Sequence, residues 1–161
     1  MMTPQQNCIT GNEETENLSP SLQALASFYH AFNTSDLDAM SLNWAQTKDI
    51  SMDNPVGGIR RGWTAIREVY DRIFNGPAEV YVEFYDYTLH ETSGFFFVVG
   101  RERGQFRVGS KVIELAIRTS RIYQWIDERW QQVHHHGSID DPVLLAEYQA
   151  AVRGNYCSYV F

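Results

Sequence analysis

Cysteine is scarce in this chain: Cys8 and Cys157, at opposite ends, are the only two. Two such residues make no disulfide framework and no Cys-x-x-Cys motif. They read as two free thiols in the tails, with a Cys8–Cys157 bridge as the alternative. Basic charge is also short, with 13 Lys and Arg against 20 Asp and Glu and a net charge of −7. That balance argues against nucleic acid and anionic membrane surfaces as partners, because both are bound through basic patches that displace counterions. Long apolar runs are missing. The longest, Phe95 to Val99, is far too short to span a bilayer. The start, MMTPQQNC, has no basic stretch followed by an apolar run, so no secretory leader is expected and the cytoplasm is the default compartment. Nor is there a Gly-rich phosphate loop or a serine nucleophile elbow. No cofactor is expected.

What is present is enough to build a core. Hydrophobic residues make up 43% of the 161 and aromatic residues 14%, which suits one domain. Residues 1–18 are polar and aperiodic and read as a disordered leader, 19–151 as the folded domain, and 152–161 as an aromatic tail. Ser19-Pro20 opens a helix whose apolar face is Leu22, Leu25, Phe28, Tyr29 and Phe32. Ser35 or Asp36 caps a second helix with Leu37, Met40 and Trp44 inward. A short strand spans 49–54 before Pro55 and Gly57-Gly58. A third helix turns Trp63, Ile66, Tyr70 and Ile73 inward and stops at Asn75-Gly76-Pro77. The period then changes to two, predicting strands over 79–91, 94–103, 111–125 and 129–138, with 104–110 as a turn. Asp141-Pro142 starts a last helix. Helices followed by a meander predict an α+β domain with helices on one sheet face. The tail residues Tyr156, Tyr159 and Phe161 are apolar enough to dock over a cavity mouth or on a partner.

The wording of several segments resembles a known superfamily. Phe28-Tyr29-His30-Ala31-Phe32-Asn33 followed by Ser35-Asp36-Leu37-Asp38-Ala39-Met40 is similar to the first two helices of nuclear transport factor 2-like (SnoaL-like) proteins. Pro55-Val56-Gly57-Gly58 and Arg61-Gly62 resemble their loop into helix three. Trp130-Gln131-Gln132-Val133-His134-His135-His136 resembles the last strand of the calcium/calmodulin-dependent kinase II association domain. The resemblance covers about residues 20–140. It implies a cone-shaped fold, in which a curved antiparallel or mixed sheet packs on three N-terminal helices around a pocket. The superfold hosts isomerases, hydrolases, dehydratases and assembly modules, so function must come from the site.

Three constellations compete for that site. A steroid-isomerase-like centre needs an acid where this chain has Asn54, which cannot serve as a base. Asp53 should point to the other face of its strand. The family's helix-one tyrosine falls at Phe28, one residue from Tyr29. In the second constellation, by resemblance, Arg101 and Arg121 face the cavity and hold a carboxylate or a polarised carbonyl. A third family arginine is replaced here by Gly137. The alternative for Arg101 is an ion pair with a nearby acid. The third is the histidine triplet. Alternation puts His134 and His136 on one face and His135 on the other; by the same resemblance His135 looks into the pocket and is the candidate proton shuttle, while His134 and His136 take the outer sheet face. No third ligand accompanies them, so no metal is expected. Trp44, Trp63, Tyr70, Tyr81, Tyr85 and Phe97 form either a cavity wall or ordinary core. The ligand-contacting set is therefore Arg101, Arg121, Tyr29, Asn54, Trp44 and Trp63 around a small molecule. The rival reading is a non-catalytic assembly module, and a homodimer through the outer sheet face is expected on either.

Overall fold

The computed structural model describes residues 2–154. Helix α1 (Pro20–Asn33) starts at Ser19, whose Oγ accepts from Leu22 N, and buries Leu25, Phe28, Tyr29 and Phe32. Asp36, not Ser35, caps α2 (Leu37–Asn43) by accepting from Ala39 N. Strand β1 (Ser51–Asp53) and the two-residue β2 (Arg60–Arg61) precede α3 (Trp63–Phe74), which buries Ile66, Val69, Tyr70 and Ile73. Four long strands follow: β3 (Glu79–Glu91), β4 (Phe95–Val108), β5 (Lys111–Ile126) and β6 (Arg129–Ser138). Helix α4 (Pro142–Val152) is capped by Asp141, whose carboxylate accepts from Val143 N and Leu144 N.

The sheet order is β2-β1-β6-β5-β4-β3, and every pairing is antiparallel except β1 with β6. Period-two alternation puts Phe96, Val98, Glu102 and Phe106 of β4 on the helix side. Leu115, Ile117, Thr119, Arg121 and Tyr123 of β5 share that side. Two bulges bend the sheet. One lies between Tyr85 and Thr88, where Asp86 takes φ 48°. The other lies in β6 opposite Ile122 and Tyr123, where Val133 is the extra residue.

Two readings of the sequence are corrected. The leader is not disordered over its described residues. Gln5 and Ile9 bridge β3 through backbone hydrogen bonds to Tyr87 and Phe84, and Ile9 is buried. The strap covers unpaired groups of an edge strand, which is why a polar segment orders there. The expected turn at 104–110 is strand as far as Val108. Gly104 sits where β3 comes so close that a Cβ would lie 1.9 Å from the Tyr81 carbonyl oxygen. The glycine permits a close approach and does not break the strand. The aromatic tail from 155 and Cys157 lie outside the described residues. Cys8 is a free thiol beside Glu83 and Arg103. Among the described residues no helix is long and apolar enough to cross a membrane.

Candidate functional site

The centre of the cone is built around Arg121, whose side chain is 2% exposed. Its strand position fixes it there, because every second residue of β5 faces the helices. A guanidinium cannot discharge by losing its proton, so burial demands partners. Nη2 donates to Glu102 Oε1 at 2.9 Å, Nη1 to Gln132 Oε1 at 3.0 Å, and Nε to Tyr29 Oη at 3.4 Å. Tyr29 donates its own proton to the same Glu102 oxygen at 2.6 Å. The Phe28 ring covers the guanidinium, with Cζ 3.5 Å from its centroid. Burial opposes the charge on Arg121, but attraction from Tyr29 and Glu102 more than offsets it and holds the group protonated. Burial, and then Glu102, push Tyr29 well above the ordinary phenol range.

His135 is the second buried polar group. Its Nδ1 lies 3.3 Å from the Ser120 carbonyl oxygen, which can only accept. Nδ1 therefore carries the proton, and Nε2 is left as an acceptor. Burial first, and the Arg121 cation second, lower its pKa well below the ordinary imidazole value, so the ring is neutral at physiological pH. Gly137 lies next to it. A Cβ there would stand 3.0 Å from the Pro55 ring and 3.4 Å from the imidazole. A side chain at position 137 would therefore crowd the Pro55 ring and the imidazole.

These groups meet a cavity of about 30 Å³ lined by Phe28, Asn54, Tyr70, Glu102, Arg121, His135 and Tyr148, among others. That is space for roughly one or two water molecules. Polar hydrogens are in surplus around it. The Tyr70 hydroxyl lies beside Trp44 and Arg121 without a hydrogen bond of normal geometry, and Trp44 Nε1 and Gln132 Nε2 are buried without a partner. Burial raises Tyr70 to about 12, so it is a neutral donor. A larger groove of about 570 Å³, lined by Ala24, Ala26, Ala39, Leu42 and Trp130, opens on the helix side. It also carries Thr15, Ser27, His30 and Arg129, while its buried amide, Asn43, donates to the Ala24 carbonyl and accepts from Tyr123.

Of the residues singled out from sequence, the fold brings together Tyr29, Asn54, Arg121 and His135. Trp44 is buried one layer deeper, beside Tyr70. Trp63 is half-buried at the start of α3 and does not line the cavity. Arg101 requires correction. It pairs with Arg118 across β4 and β5, lies on the outer face, and meets Asp86 at 3.1 Å. The neighbour that faces inward is Glu102, since a shift of one residue changes the face. Tyr81, Tyr85 and Phe97 are likewise outer-face residues, not cavity wall. Asp53 does point outward, where its carboxylate meets His136 Nδ1 at 2.6 Å, while His134 Nδ1 meets Ser51 Oγ at 2.9 Å. Among the described residues no three His, Cys, Asp or Glu side chains are placed to hold a metal ion. Sequence reading missed Glu102, Gln132 and Tyr148. The parity of Phe96, Val98 and Glu102 carried the signal for the first. The β6 bulge hid the second, since it lets Gln132 and His135 share a face.

Breaking the ion pair on one side should cost far more than removing both charges. Arg121→Met alone is expected to destabilise by about 3–5 kcal/mol, because Glu102 is left buried and unpaired, whereas Arg121→Met with Glu102→Leu should recover most of it. Urea unfolding of the two single variants and the double checks this. Additive losses would mean the two groups are not coupled.

Comparison with known proteins agrees with this architecture. A SnoaL-like domain model matches residues 22–142. No curated protein shows significant similarity to the chain. Among solved structures, a candidate dehydratase of the NTF2-like family from Streptomyces avermitilis is 18% identical. It has a TM-score of 0.65 and covers 78% of this chain and 97% of its own. A candidate calcium/calmodulin-dependent protein kinase type II association domain from Thiobacillus denitrificans is 20% identical, with a TM-score of 0.60 and coverages of 74% and 94%. A candidate ketosteroid isomerase from Shewanella frigidimarina is 14% identical, with a TM-score of 0.60 and coverages of 74% and 95%. With three-quarters of its length matched and the cone fold in place, the chain belongs to the SnoaL-like domain family.

Proposed function

We propose that this protein binds a small neutral molecule carrying a carbonyl group in the floor of the cone. The observation that carries the reading is the charge state of that floor. Among the described residues Arg121 is the only cation lining the cavity, and Glu102 already neutralises it. A carboxylate ligand would have to displace Glu102 or add an uncompensated negative charge in a desolvated site. The carboxylate half of the expectation from sequence is therefore dropped, and the carbonyl half is kept. Tyr70 supplies a donor for a carbonyl oxygen. The Nε2 lone pair of His135 supplies an acceptor for a hydroxyl, or a base for a proton next to the carbonyl. Asn54 lines the same space but cannot take a proton, so any proton transfer falls to His135. Steroid-isomerase chemistry through an acid at position 54 finds no group to perform it.

Ligand-observed NMR with matched panels of cyclic ketones and aromatic carboxylates tests the reading. Ketones should give the hits, and His135→Phe should weaken them about tenfold, the worth of one good hydrogen bond. Hits confined to carboxylates, or ketone binding indifferent to His135, would sink it.

An assembly role has an observation of its own. Phe95 is 42% and Val99 49% exposed on the outer face of β4. Between them lies Phe97, stacked on His90 and paired with Ile122. An apolar stripe on a sheet face suits self-association. The candidate association domain of similar fold fits this reading. Light scattering should give about twice the 18.6 kDa chain mass, and Phe97→Glu with Val99→Glu should return it to one. A wild-type monomer would remove the dimer from the account.

A further inference from the structure

Helix α4 closes the mouth of the cone, and the way it does so is informative. Of its eleven residues, only Tyr148, Ala151 and Val152 are buried, while Val143 is 66% exposed. Its fastening to the loop after β1 is polar. Gln149 Nε2 donates to the Pro55 carbonyl at 2.9 Å, and Arg153 Nη2 to the Val56 carbonyl at 2.7 Å. At the surface Lys111 meets Glu147 at 3.1 Å. Tyr148, Ala151 and Val152 anchor α4 in the core with Leu144 and Leu145 partly buried beside them, while its ties to the loop are hydrogen bonds that exchange readily with water.

Tyr148 is the part of α4 that enters the site. It is 4% exposed, lines the cavity with Glu102, Arg121 and His135, and packs on Phe106 with ring centroids 5.6 Å apart. Its phenol is close enough to Glu102 and Tyr70 for both, after burial, to raise its pKa. A phenol is the stable counterpart of an enol, planar with a hydroxyl on an sp² carbon. The ring forms part of the wall of a cavity of about 30 Å³.

We propose that Tyr148 is a built-in stand-in for the ligand and α4 a hinged cap. The site admits a molecule when α4 lifts Tyr148 out, and the molecule admitted is a six-membered ring bearing a phenol or enol hydroxyl. This rests on the small-molecule reading above and narrows it. The cap turns on the loop before Asp141 and exchanges two hydrogen bonds to Pro55 and Val56 for water. The incoming ring replaces the ring that leaves, so the core is not left empty. A hydroxyl on that ring would enter a space lined by the polar side chains of Tyr70, Glu102 and His135, where a purely apolar ring offers them nothing to bond.

The test uses 4-methylphenol, the side chain of tyrosine as a free molecule, with toluene as its control. Calorimetry on Tyr148→Ala should show 4-methylphenol binding at least about tenfold tighter than toluene and about tenfold tighter than to wild type, where the native ring must first be displaced. Equal affinity for the two probes would overturn the ligand class. No 4-methylphenol binding by a folded Tyr148→Ala protein would overturn the stand-in. Native-state hydrogen exchange on wild type covers the case in which that variant does not fold. The α4 amides should exchange by an opening that leaves β4, β5 and β6 protected; exchange of α4 only with global unfolding would overturn the hinged cap. The two readings separate cleanly. If Tyr148→Ala binds 4-methylphenol without regard to His135→Phe, the cap stands and the proposed role of His135 falls. If wild type binds ketones through His135 while Tyr148→Ala ignores the phenol, the function stands and this inference falls.

Discussion

A guanidinium sealed under a phenylalanine ring sets the terms for the rest of this structure. Arg121 cannot lose its proton, and in a dry interior its charge must be answered within hydrogen-bond range. The fold answers it from three directions. Tyr29 comes from α1, Glu102 from β4 and Gln132 from β6, with Phe28 stacked above. The bulge at Val133 is what allows Gln132 and His135 to reach the same side of a strand whose ordinary alternation would separate them. The outer face inherits the complementary set, so His134 and His136 meet Ser51 and Asp53 away from the cavity.

The same constraint shapes what the site can recognise. Because Glu102 already occupies Arg121, the cone's floor is electrically neutral, although two of its groups are fully charged. Neutralising the arginine internally removes the attraction for anions and leaves directional hydrogen bonding as the means of recognition. His135 stays unprotonated by burial and by its cationic neighbour. A neutral base beside neutral donors, in a space with little water, is equipped for proton traffic near a carbonyl. On the proposed reading a ligand needs more room than about 30 Å³, and the proposed cap would tie function to the position of α4.

Much of this was legible in the sequence. The helical faces of α1 and α3, the change to period two after Pro77, and the resemblance in the last strand led to the cone fold. Alternation separated His135 from His134 and His136, and Asp53 from Asn54, and the resemblance chose which of the two faces looks inward. Arg101 and Glu102 are adjacent, one faces the solvent and the other the core, and the resemblance chose Arg101 where the parity of Phe96 and Val98 points to Glu102. Gly104 looked like punctuation because its role, a close approach to Tyr81, exists only between strands. The leader looked disordered because its composition is polar, yet Ile9 and a few backbone groups suffice to pin it to an edge strand. Tyr148 lies on a helix with no marked apolar face, so only the folded chain could show that it lines the cavity.

The central claim is that the floor of the cone holds a neutral, Nδ1-protonated His135 beside a self-neutralised arginine. Nitrogen-15 NMR of the His135 ring across pH 5 to 8 tests it most directly. The account predicts an Nδ1–H tautomer that keeps its Nε2 lone pair at pH values below the ordinary imidazole midpoint near 6.5. A ring that protonates at that ordinary midpoint, or that carries its proton on Nε2, would contradict it.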